Sequence, residues 1–184
     1  QFYLLWCINF LGCGVGLMVI SQAVPMGQEL AGVSATAAAG ALGTMAIFNA
    51  LGRPSFGWIS DRIGRTLSLM IAFGLYLLAL LLILRTASSF LAYTIGISVV
   101  GFAYGGYLTL LPACTADYFG TRNMGINYGL IFTAYGVAGV VGPLIGAWVR
   151  AVTGGWENAF WILAVLSVFG LFLSLMIHRL RSGP

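Results

Sequence analysis

The chain has 184 residues, 60% of them hydrophobic and 7% charged, against about 45–50% and about 25% in soluble domains. With 8 basic and 4 acidic residues and a mean hydropathy of +1.01, there is too little polar surface to coat a compact body in water. The net charge of +4 does not indicate nucleic acid, because every basic residue is an arginine and the arginines are scattered between apolar runs.

A membrane crossing takes about 20 helical residues, and apolar runs of that length fall at 2–22, 35–56, 66–84, 89–111, 125–149 and 157–177. The pattern predicts an all-α membrane protein in which residues 1–184 form one bundle of six transmembrane helices. Gln1 to Ile20 has no basic leader and the chain has no initiator Met, so no signal peptide is expected and the chain reads as a fragment. Turn chemistry separates the runs. Pro25, Gly27 and Glu29 are expected in the first connection, Ser60 to Arg65 in the second, and Pro112 to Met124, with Asp117, Gly120 and Arg122, in the fourth.

Successive loops alternate sides. One set collects Arg62, Arg65, Arg122, Arg179 and Arg181, and the other only Arg85 and Arg150. The positive-inside rule then puts both ends in the cytoplasm of a multi-pass protein of the cell (inner) membrane. Trp6, Trp58, Trp148, Trp156 and Trp161 lie near span ends, as interfacial anchors do. Cys7, Cys13 and Cys114 have no metal-ligand spacing with the single histidine, His178, and read as small buried hydrophobes, so no metal or cofactor is expected. His178 itself reads as interfacial. No HExxH, no Ser/His/Asp set and no paired carboxylates occur within the spans, and the chain is not expected to be an enzyme.

The 26 glycines are about twice the usual share of about 7%. Gly12 and Gly16, Gly101 and Gly105, Gly125 and Gly129, and Gly142 and Gly146 each pair one turn apart, which suits close helix packing in lipid.

Arg53 lies inside the second span, where a charge costs roughly 2.5–3.5 kcal/mol on insertion scales. Either it faces a cavity and receives an anion, for which its planar fork suits a carboxylate, or it snorkels to the headgroups or pairs with Asp61. Asn49, one turn earlier, is placed to bond the guanidinium, a ligand or a neighbouring helix. Pro54 removes the backbone bond to the Ala50 carbonyl and is expected to loosen the helix there. Tyr104 stands at about the same depth in the fourth span, with room expected around it from Gly101, Gly105 and Gly106. Phe132 and Tyr135 lie nearly one turn apart in the fifth, and the three aromatics are candidate walls of a small pocket, with packing the alternative. Pro143 is expected to bend the outer half of this fifth span.

The run from Gly52 through Asp61-Arg62 to Gly64-Arg65 resembles the loop motif of the major facilitator superfamily, and the runs Asn49–Gly57 and Asp117–Gly129 resemble its monocarboxylate and oxalate/formate transporters. The resemblance implies the C-terminal half of a twelve-helix fold, with the N-terminal six-helix half absent from this chain. It also implies a secondary transporter working by alternating access. Its substrate is expected to be a small monocarboxylate such as lactate or pyruvate, coupled to protons, with membrane lipid and the missing half as its other partners. An oxalate/formate-type anion exchanger driven by a counter-anion is the near alternative, and a complete six-span channel or receptor the distant one. Arg53 then maps to the family's carboxylate anchor, while Asp61, Arg62 and Arg65 hold a gate closed in one state. Animal monocarboxylate carriers resembling this chain carry Asp where Asn49 stands, and oxalate exchangers carry Lys where Tyr135 stands.

Overall fold

The computed structural model describes residues 1–182, with side chains as far as Arg179, so the Arg181 part of the expected charge bias lies outside the described residues. Six helices long and apolar enough to cross a membrane follow one another. They are α1 (Phe2–Leu30), α2 (Ala35–Ile63), α3 (Arg65–Leu78, continued by a π-helical segment Ala79–Leu84), α4 (Phe90–Phe119), α5 (Met124–Thr153) and α6 (Glu157–Ser182). No strand occurs among the described residues. The protein is an all-α, multi-pass membrane protein.

The helices outrun the apolar segments that announce them, because backbone groups near lipid are best satisfied inside a helix. Pro25, Gly27 and Glu29 lie within α1, Ser60 to Arg62 within α2, and Pro112 to Phe119 within α4, where loops were expected. α2 also runs unbroken through Pro54, and α5 through Pro143. Only Gly64 separates α2 from α3, at φ 91°, a conformation strained for any residue with a Cβ. Ser34 and Ser89 fix the starts of α2 and α4 by accepting from the amides of Ala37 at 3.2 Å and Ala92 at 3.3 Å.

Burial separates core from wall. The most apolar windows of α4 and α1 are 67% and 61% buried, whereas those of α2 and α5 are 22% and 28% buried. α2 packs along α4, α5 along α1, and α3 along α6. Glycines set the first two seams. A Cβ at Gly105 would collide with the Asn49 carbonyl, one at Gly101 with that of Met45, and one at Gly52 with that of Phe102, so the α2 and α4 backbones approach closely along two turns. On the other side Gly142 meets the Gly14 carbonyl and Gly146 meets Met18. The Gly125 and Gly129 pair has the same spacing but faces open space, which corrects the expectation of a seam there.

Tyrosines join α1 to its neighbours. The rings of Tyr107 and Tyr104 fill the space left by Gly12 and Gly16. Tyr107 Oη donates to Ile8 O at 2.7 Å, Tyr76 Oη to Gly12 O at 3.3 Å, and Tyr93 Oη to Ala23 O. A hydroxyl in a dry interior needs such a partner, and helix carbonyls have a lone pair to spare. Cys13 and Cys114 are buried as expected, but Cys7 is exposed; Trp156 is only 2% exposed and is therefore no lipid anchor.

Replacing Gly105 with Ala should cost about 1–3 kcal/mol, because the methyl meets a backbone that cannot step aside. Gly129→Ala, at an open position, should leave stability unchanged. Melting temperatures of the two variants in one detergent check this contrast.

Candidate functional site

Between the two exposed walls lies an open groove of two lobes, of about 500 Å³ and about 390 Å³, with Arg53, Leu108 and Tyr135 lining both. α2 contributes Asn49 and Arg53, α4 contributes Tyr104 and Leu108, and α5 contributes Phe132 and Tyr135. The structure therefore brings together all five residues expected to bind substrate. Because α2 runs on to Ile63, Arg53 sits about three turns from that helix end, deeper than the apolar run alone implies.

The guanidinium of Arg53 is exposed to the groove, and none of the ion pairs among the described residues includes it. No carboxylate lines either lobe. Pairing with Asp61 is excluded in this conformation, since Asp61 Oδ1 lies 2.6 Å from Arg65 Nη1. Asn49 Nδ2 donates to Gly101 O at 3.2 Å, so this amide locks α2 to α4 while its residue still borders the groove.

Phe132 and Tyr135 stack at 4.7 Å with their planes 7° apart, and Tyr128 leans on Phe132 at 5.3 Å. The spacing 128, 132, 135 puts three rings on one helix face, a periodicity by which Tyr128 was findable from sequence. Tyr104 is 4% exposed, its ring against Gly16 and its hydroxyl beside Tyr135, without a hydrogen bond of acceptable geometry. The room expected around it from Gly101, Gly105 and Gly106 is not there, which corrects the reading from sequence. Met45, Asn49 and Phe56 of α2 occupy that space.

The expected gating residues divide. Arg65 is a hub: it bonds Asp61 and the Ser60 hydroxyl, and its Nε lies 4.0 Å from Asp117 Oδ2 at the end of α4. Arg62 instead stacks over the Trp58 ring at 3.9 Å. At the opposite helix ends, and unforeseen from sequence, Arg85 pairs with Glu157 at 2.8 Å and Arg150 with Glu29. These pairs tie α3 and α5 to α6 and α1 around the Gly154–Gly155 turn. Arg85 and Arg150 also lie over the Trp161 and Trp156 rings, at 5.0 Å and 5.5 Å.

Asp61 is 67% exposed, so its pair contributes at most about 1 kcal/mol. Arg65→Ala, which removes three contacts at once, should raise labelling of a cysteine placed at Gly57 more than Asp61→Asn does. Equal labelling in both variants would place the closure elsewhere.

A family model described as Major Facilitator Superfamily matches residues 4–184. The oxalate:formate antiporter of Oxalobacter formigenes is 31% identical over 185 residues, covering 100% of this chain and 44% of that protein. Monocarboxylate transporter 12 of Xenopus laevis is 31% identical over 162 residues, covering 83% and 35%. The uncharacterized MFS-type transporter YhjX of Escherichia coli (strain K12) is 29% identical over 140 residues, covering 76% and 35%. The chain thus spans less than half the length of these relatives. Six lipid-compatible helices, glycine seams, the Gly52 to Arg65 motif and the match along nearly its whole length agree: this chain belongs to the major facilitator superfamily.

Proposed function

We propose that this chain is the C-terminal six-helix half of a secondary transporter for a small monocarboxylate such as lactate or pyruvate. The observation that carries the reading is Arg53, a cation in a groove without a carboxylate of its own. A planar guanidinium receives a carboxylate through two parallel charge-assisted bonds, which a point ammonium cannot match. Phe132, Tyr135 and Tyr104 shape the wall beside it, and Asn49 sets the rotation of α2 that turns Arg53 toward the groove.

A second six-helix half is the natural cover for an open groove whose walls expose Ile47, Phe48 and Leu51 on α2 and Val137, Val140 and Leu144 on α5. Transport then proceeds by rocking of the halves around the midplane site, with the Arg65 hub closing one face and the Arg85 and Arg150 pairs bracing the other. The Arg62 and Arg65 end faces the cytoplasm in this reading, since it carries the excess of arginine. The similarity to an oxalate:formate antiporter along the whole chain favours a second reading, an exchanger that accepts oxalate. The groove argues for a monoanion, because the second carboxylate of oxalate would find Tyr135 and no cation, keeping much of its desolvation cost.

In the full-length protein reconstituted into liposomes, Arg53→Ala should lower labelled lactate uptake by about two orders of magnitude, and Arg53→Lys should recover little of it. Uptake with unchanged affinity in Arg53→Ala would remove the anchor. Tyr135→Lys should raise oxalate affinity relative to lactate. An unchanged ratio with normal lactate transport would show that the monoanion preference does not arise from the missing cation at 135.

A further inference from the structure

The face of the bundle formed by α3 and α6 carries a charge pair and an apolar stripe of its own. These two helices pack along each other, and among the described residues none of theirs lines either lobe of the groove. On α6, Glu157, Trp161, Val165, Val168, Phe172 and Met176 recur every three or four residues, which sets them on one side of the helix. The five apolar members are 43% to 59% exposed, and Glu157 stands exposed at their head. From Val165 to Met176 the stripe runs about 16 Å along the axis, close to half of a hydrocarbon core about 30 Å thick. It has the depth of one leaflet.

The head of the stripe is polar in two signs. Arg85 follows directly on the π-helical segment that ends α3, and its guanidinium lies over the Trp161 ring at 5.0 Å. Its Nε and Nη2 both donate to Glu157 Oε1, at 3.2 Å and 2.8 Å. Among the described residues Arg85 Nη1 and Glu157 Oε2 make no hydrogen bond, so the pair keeps both a donor and an acceptor unused. Both side chains line a cavity of about 300 Å³, together with Leu30, Gly155 and the buried rings of Trp156 and Phe160.

The geometry points to a binding site for phosphatidylethanolamine, with an acyl chain along the α6 stripe, the phosphate on Arg85 and the ammonium on Glu157. The order of groups matches. Arg85 lies over Trp161, next to the apolar stripe, and Glu157 stands one turn farther out, as the ammonium stands beyond the phosphate in the lipid. A primary ammonium brings three N–H donors to the carboxylate, whereas the trimethylated head of phosphatidylcholine brings none. A headgroup with the phosphate alone would leave Glu157 facing a like charge. The site does not depend on which solute the protein carries.

The test titrates delipidated full-length protein with phosphatidylethanolamine, its N-methyl and N,N-dimethyl forms, and phosphatidylcholine of the same chains, counting bound lipid by native mass spectrometry. Phosphatidylethanolamine should bind about fivefold more tightly than phosphatidylcholine, the reach of a partly exposed charge pair, with the methylated forms between. One affinity across the series would overturn the site. Glu157→Gln should bring phosphatidylethanolamine down to the level of phosphatidylcholine and leave the latter unchanged, while Arg85→Gln should weaken both about fivefold. A preference that survives Glu157→Gln would place the ammonium elsewhere and overturn the assignment. Should the variants fail to fold, the methylation series in the wild-type protein still decides. A dimer that excludes lipid would show a second copy covering the stripe, and would equally overturn the proposal.

Discussion

An unpaired charge in a low-dielectric interior is among the most costly features a membrane protein can carry. With 4 acidic residues against 8 arginines, not every arginine can find an acid. Glu29 and Glu157 meet Arg150 and Arg85 at one end of the bundle, and Asp61 and Asp117 meet Arg65 at the other. None is left for Arg53, which lies between the ends with a groove around it. The ion pairs tie the helix ends together, and the same allocation leaves the middle with a charge that an external anion can complete.

That arrangement depends on rigid walls. α2 is held against α4 by contacts that only glycine permits at 52, 101 and 105, and the Asn49 amide fixes its rotation. Arg53 follows one turn later on the same face. α1, behind the groove, is pinned by three tyrosine hydroxyls on its carbonyls and by two tyrosine rings in its glycine notches. Lipid offers no hydrophobic drive for such contacts, so close packing and interhelical hydrogen bonds supply the cohesion. Arg53 therefore projects into the groove from a wall that contacts within the protein hold in place.

The parts legible in the sequence are those encoded by solvent alone. Six apolar runs gave six helices, and a lone Arg within one of them marked the groove, because lipid tolerates neither a missing span nor a gratuitous charge. What depends on tertiary neighbours was not legible. Gly101 with Gly105 and Gly125 with Gly129 share a spacing, yet one pair meets a helix backbone and the other open space. Helix ends were misjudged where proline and acidic residues imitate loops, as at Pro25 and Asp117, since an i→i+4 ladder outweighs local turn preference when the alternative is unsatisfied backbone. Arg65 as the meeting point of α2, α3 and α4, and the Glu29–Arg150 pair, join residues far apart in the chain. No periodicity announces them.

The central claim is that the groove recognises the charge of a carboxylate, and removing that charge from the ligand tests it without altering the protein. Equilibrium binding of labelled lactate to the purified full-length protein, challenged with lactamide, compares two molecules of nearly equal size that differ in one charge. Lactamide at about 100-fold excess should leave lactate bound, since a neutral amide forfeits the charge-assisted pair with Arg53. Displacement by lactamide at the concentration at which unlabelled lactate competes would contradict a groove organised around a single cation.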